Sequence, residues 1–174
     1  MHTLFSILML LILSGATDYQ KIADDTKWEW NDENATAAYS AKTMPDGYKV
    51  EIIDKKEFTK ATLKFTKEGK EVFTIEGHLG TVFLVKENVL YYADYSPFST
   101  GCSIVARDLT NGKELWKTPL QGLGPISHSK YRNGVSVDWV EGALRAFGHE
   151  ASGNYVEFVD PRTGKSVGHK VFKN

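Results

Sequence analysis

The segment Ile104-Val105-Ala106-Arg107-Asp108-Leu109-Thr110-Asn111-Gly112-Lys113-Glu114-Leu115-Trp116 decides how the chain is read. An apolar, β-branched run enters a polar turn and leaves it as a second strand. The Asp108 carboxylate can accept backbone N–H groups of the turn, and Gly112 can take the left-handed conformation that closes it. The arrangement returns at Asp160-Pro161-Arg162-Thr163-Gly164-Lys165 and, in shorter form, at Thr66-Lys67-Glu68-Gly69-Lys70. A further short strand follows each turn, over Glu71 to Glu76, Glu114 to Leu120 and Ser166 to Phe172.

Outward from these turns, period-two patterning runs almost to both ends. Tyr48-Lys49-Val50-Glu51-Ile52, Leu63-Lys64-Phe65 and Val72-Phe73-Thr74-Ile75-Glu76 alternate as half-buried strands do. Thr81-Val82-Phe83-Leu84-Val85 is a continuous apolar run, as expected of a strand covered on both faces. Val89 to Tyr92, Ser103 to Ala106, Val135 to Val140, Leu144 to Phe147 and Tyr155 to Val159 continue the series. Asp46-Gly47, Asn88, Asn133-Gly134 and Glu141-Gly142 lie between runs, where a hairpin needs residues tolerant of positive φ. No window of about a dozen residues carries a capped helical stripe. The reading is an all-β, antiparallel chain.

The turn glycines at positions 69, 112 and 164 recur at the spacing of roughly 40 to 50 residues that marks propeller blades of four short strands. Three units parse, about 36–78, 79–120 and 131–172, with Gly122-Leu123-Gly124-Pro125 linking the second to the third. The run from Ile104 to Trp116 resembles the repeat of PQQ-like (quinoprotein-type) β-propellers, in which an apolar strand leads into Ala-x-Asp-x-x-Thr-Gly-Lys-x-x-Trp. Asp160 to Lys165 matches the same turn. The repeat's tryptophan, which in that family docks on the neighbouring blade, stands once, as Trp116; Phe73 and Gly168 hold the equivalent places. The resemblance implies blade-like sheets. It does not imply a quinone, because a closed ring needs about four to eight blades. A β-sandwich or a barrel is the alternative architecture.

The first residues differ in kind. Leu4 to Leu13 is apolar except for Ser6, and Ser14-Gly15-Ala16 supplies the small residues of a signal-peptidase site. The run is far shorter than the ~20 residues of a membrane-spanning helix, so residues 1–16 read as a secretory signal peptide. Residues 17–35 read as a polar, irregular segment, with Trp28 and Trp30 on one face of a short strand, and 36–174 as a single β domain. The expected location is secreted or periplasmic.

All 21 basic and 22 acidic side chains lie beyond residue 16, so the mature chain has no basic excess for nucleic acid or an anionic membrane. Cys102 is the only cysteine, which excludes an intrachain disulfide.

Candidate chemistry is sparse. His78, His128, His149 and His169 show no metal-ligand spacing, and no nucleotide-binding loop or nucleophile elbow occurs, so neither a metal nor a cofactor is expected. A small hydrolase would have to assemble from Cys102, His128 and His149. The aromatic supply points elsewhere: Tyr95, Phe98, Tyr131 and Trp139 are the candidate binding residues, because exposed rings on a β scaffold stack on sugars or hold a peptide. Asp108, Gly112, Asp160 and Gly164 are structural turn residues. The sequence thus reads as a non-catalytic module for a protein or glycan partner. It is expected to be monomeric, with a homo-oligomer that completes a propeller as the alternative.

Overall fold

A computed structural model describes residues 16–27, 42–44, 47–56, 60–77, 83–95, 102–121, 134–150 and 153–172. The proposed signal peptide up to Gly15, together with Trp28, Trp30, His78, Phe98, His128 and Tyr131, lies outside them. The described chain is antiparallel β with one short helix, and its strands form three separate four-stranded sheets.

The first sheet comprises β1 (Lys42–Thr43), β2 (Tyr48–Lys56), β3 (Lys60–Lys67) and β4 (Lys70–Gly77). The second comprises β5 (Phe83–Lys86), β6 (Val89–Tyr95), β7 (Cys102–Asp108) and β8 (Glu114–Pro119). The third comprises β9 (Gly134–Val140), β10 (Ala143–Glu150), β11 (Gly153–Val159) and β12 (Ser166–Phe172). Each is a simple meander in chain order, which is the topology of a blade rather than of a barrel or sandwich. Gly134 opens β9, so it begins the third sheet instead of closing a hairpin. Each sheet carries a register shift between its last two strands at the same place, after Phe65, Ala106 and Phe158. These shifts are β-bulges, and their recurrence makes the three sheets versions of one unit.

The sheets stack face to face. Between the first and second lie Tyr48, Val50, Leu63, Phe65, Ile75, Leu90, Tyr92 and Val105. Between the second and third lie Tyr91, Ala93, Ile104, Ala106, Val137, Leu144, Ala146 and Tyr155. The second sheet is therefore apolar on both faces, which is why Leu90-Tyr91-Tyr92-Ala93 and Ile104-Val105-Ala106 read without polar alternation.

The N-terminal segment departs from expectation. Residues 17–35 are not wholly irregular, because Tyr19–Asp25 form a helix, α1. Asp18 caps it by accepting the Lys21 N–H at 3.0 Å. The helix packs on the outer face of the third sheet, where Ala23, Tyr19 and Ile22 meet Ala143, Val156 and Phe158. Seven residues are too few to show a convincing stripe, and too few to be stable alone. Burial at about 1.5–3 kcal/mol per large apolar side chain stabilises them here.

Candidate functional site

The joints between sheets explain the turn motif. In the second sheet, Asp108 Oδ1 accepts the Thr110 N–H at 2.8 Å and the Thr110 hydroxyl at 2.6 Å, while Gly112 N–H donates to Asp108 O at 2.8 Å. The third sheet repeats this, with Arg162 N–H on Asp160 Oδ1 at 2.9 Å and Gly164 N–H on Asp160 O at 2.8 Å. These hydrogen bonds hold both carboxyls below the usual carboxylate range, chiefly through the Thr110 side chain at Asp108 and the Arg162 N–H at Asp160. Gly112 and Gly164 have φ of 74° and 70°.

Each glycine floors a socket for an aromatic ring from the preceding sheet. A Cβ on Gly112 would lie 2.4 Å from Phe73 Cγ; one on Gly164 would lie 2.8 Å from Trp116 Cδ2 and 2.7 Å from Thr118 Oγ1. Trp116 also donates its indole N–H to Pro161 O at 2.9 Å, and Thr118 donates its hydroxyl to Gly164 O. The shorter turn at Glu68-Gly69 is a different object. Both residues have positive φ, the flanking Lys67 and Lys70 pair directly, and a Cβ at Gly69 meets nothing among the described residues. It is a two-residue hairpin turn without a socket.

The meander topology gives the stack two unlike poles. Among the described residues, one carries the turns Glu68-Gly69, Glu87-Asn88, Leu109 to Lys113, Glu141-Gly142 and Pro161 to Lys165. At the other, the strand ends are joined through residues 57–59, 78–82, 96–101, 122–133 and 151–152. Most of the candidate residues belong to this second pole. Tyr95 ends β6 in register with Cys102, which starts β7. His149 pairs with Gly134 and Asn154. Phe98, His128 and Tyr131 fall in the connections, outside the described residues.

Trp139 does not join them. It lies beside the Glu141-Gly142 turn, half-buried against the core between the second and third sheets. Lys86 Nζ stands 3.8 Å from the centre of its ring, so a sugar could not stack on that face without displacing the ammonium. Cys102 is buried, and its thiol lies 3.6 Å from Ser103 O. Burial pushes the thiol far above its ordinary range, and the Asp94 and Glu157 carboxylates add to the shift. A nucleophilic cysteine needs the opposite surroundings, so this side chain has the electrostatics of a core residue. His169 is exposed, and its backbone pairs with β11 on one side and Gln20 on the other.

Two residues escaped the sequence reading. Glu157 is fully buried and accepts the Gln121 N–H at 2.7 Å, anchoring the start of the longest connection at the second pole. Its signal was parity: in Tyr155-Val156-Glu157-Phe158-Val159 it shares the inward face with Tyr155 and Val159. Gln20 had no local signal, because its partner lies at the other end of the chain. Its amide donates to His169 O at 2.9 Å and accepts the His169 N–H at 3.1 Å. This is what an adjoining strand would do, and it covers the outer edge of β12.

Among the described residues no group of acidic, His or Cys side chains could hold a metal ion, and no helix is long and apolar enough to cross a membrane. No protein-family model matches the sequence, and no curated protein matches it significantly.

Proposed function

We propose that the chain is an exported, non-catalytic binding module that presents a protein- or glycan-binding surface from one pole of a rigid stack of blade-like sheets. The observation that carries the reading is the inequality of the poles. The turn pole is pinned by the sockets at Gly112 and Gly164, whereas the longest connection between strands, residues 120–133, joins strand ends at the other, together with Tyr95 and the segments bearing Phe98 and Tyr131. Variable connections on a rigid scaffold are where β proteins place recognition. Export rests on the run from Leu4 to Leu13 and on Ser14-Gly15-Ala16, which point to a secreted or periplasmic location. The likeness to the PQQ-like repeat is supported by the recurring bulge and by the seat of Trp116 on the next sheet. A monomer is favoured because α1 covers the face on which a fourth sheet would pack.

The test presents the immobilised protein to glycan arrays and to envelope extracts. Tyr95→Ala, Phe98→Ala and Tyr131→Ala should each weaken the retained ligand about tenfold, the loss of one good aromatic contact. Trp139→Ala should leave binding intact. Loss of binding in Trp139→Ala alone would move the site to the turn pole and sink this reading.

A further inference from the structure

The seat of α1 differs from the joints between sheets in how the chain is connected. Among the described residues α1 packs on the third sheet alone, yet its chain continues to β1 of the first sheet through residues 28–41. The seat is also specific. A Cβ on Gly168 would lie 2.6 Å from the carbonyl carbon and oxygen of Tyr19 and 2.7 Å from Gln20 N, so glycine is what admits the helix backbone. Tyr19 stacks on Phe158 with ring centres 5.8 Å apart and donates its hydroxyl to Glu141 O at 2.8 Å. Ala23 is wholly buried one turn later, and Lys170 Nζ donates to Asp24 O at 2.6 Å and Thr26 O at 3.2 Å. Of the helix side chains in this seat, only the Gln20 amide both donates to and accepts from the His169 backbone.

We propose that the strip formed by Phe158, Gly168, His169 and Lys170 is a docking site for a short amphipathic helix, with α1 as its tethered occupant. The chemistry it selects is an aromatic residue followed directly by an amide side chain, with a small apolar residue four positions after the aromatic. α1 lifts and reseats as one piece, because a seven-residue helix has no stability off the sheet. While it is lifted, the edge of β12 and the apolar strip are open to a partner helix of the same chemistry. This does not rest on the binding role proposed for the connection pole, which lies elsewhere on the stack.

Two measurements decide it. Hydrogen exchange on the unaltered chain should show the Ile22 and Thr26 amides, which close α1, exchanging together with the His169 amide. The rate should be at least about tenfold faster than in β7, as a local opening requires. Exchange of all three only at the rate of β7 would overturn the proposal. Second, a fluorescein-labelled peptide of residues 17–27 is titrated into the full chain carrying Ala23→Asp, which lifts the tethered helix. Binding should be saturable and at least about tenfold tighter than to the unaltered chain, where α1 competes at the high local concentration of a tether. Adding Gly168→Val should abolish it. Absence of binding to an Ala23→Asp chain that keeps its strand circular dichroism overturns the proposal, as does binding that Gly168→Val leaves unchanged. Should Ala23→Asp not fold, Tyr19→Ala replaces it, and the exchange experiment stands by itself.

Discussion

The two outward faces of the stack both carry cross-strand ion pairs, yet only one of them also carries an apolar strip under a helix. On the first sheet the outward residues satisfy one another: Lys64 pairs with Glu51 at 3.1 Å, and the Thr62 hydroxyl donates to Glu76 at 3.0 Å. On the third sheet Arg145 donates to Asp138 at 2.9 Å in the same way, but Ala143, Val156 and Phe158 beside that pair are apolar and depend on α1 for cover. One face ends the stack by being polar, the other by recruiting the chain's own N-terminal segment. The same sheet plan thus tolerates either solution, provided that no large apolar surface is left in water.

The contrast can be broken by substitution, and the largest effect should come from the covered face. Phe158→Ala should cost about 3–5 kcal/mol, the usual loss for a fully buried aromatic. Ile53→Ala, at a residue 50% exposed, should cost less than about 0.5 kcal/mol. Denaturant midpoints measure both, and equal losses would mean that the two faces are not different.

The sockets come next. Gly164→Ala adds a methyl group where Trp116 and Thr118 already sit, and places it on left-handed backbone. Left-handed strain of about 1–2 kcal/mol and overpacking of about 1–3 kcal/mol together exceed the roughly 1 kcal/mol expected for Gly69→Ala, which meets nothing among the described residues. A Gly69→Ala loss as large as that at Gly164 would mean that the first turn also holds a socket.

Gln20→Ala should cost about 1–2 kcal/mol by leaving the His169 backbone groups without their amide partner, with protection lost in α1 and retained in β7. Loss of protection throughout would show that α1 and the sheets form one cooperative unit.

Cys102 adds a pH dependence. Its folded pKa is raised above the ordinary 9.0, so below that value the thiol is neutral in both states and its contribution is fully present. As pH rises past 9.0 the unfolded chain loses the proton and the folded chain keeps it, so stability falls with increasing pH. The slope is at most about 1.4 kcal/mol per pH unit, and Cys102→Ala should flatten it. Smallest of all, Glu51→Gln should cost less than about 1 kcal/mol and lose its effect in high salt, since the pair is partly solvated.

Much of the fold was legible because it is local. Strand identity followed from alternation, and the three-unit parse placed every described sheet within its bounds. Even the order of burial was written in the runs. Tyr48-Lys49-Val50-Glu51-Ile52 alternates because the first sheet is covered on one face, and Leu90 to Ala93 does not because the second is covered on both. Less of the candidate site was legible. The burial of Cys102 and the Lys86 ammonium over Trp139 depend on neighbours from other strands, which no local window contains.

The sequence by itself determined strands, turns and repeat, because backbone preference and period-two patterning act within a few residues. Only the tertiary structure decided what the repeated turn is for. Asp108 to Lys113 and Asp160 to Lys165 are sockets because a preceding sheet supplies Phe73 and Trp116; Gly69 has no preceding sheet among the described residues and is a plain hairpin. Gly168 stands where the other two sheets carry Phe73 and Trp116, and residues almost 150 positions earlier, in α1, occupy that space. Contacts of that range follow from packing the whole chain, and no segment read alone contains both partners.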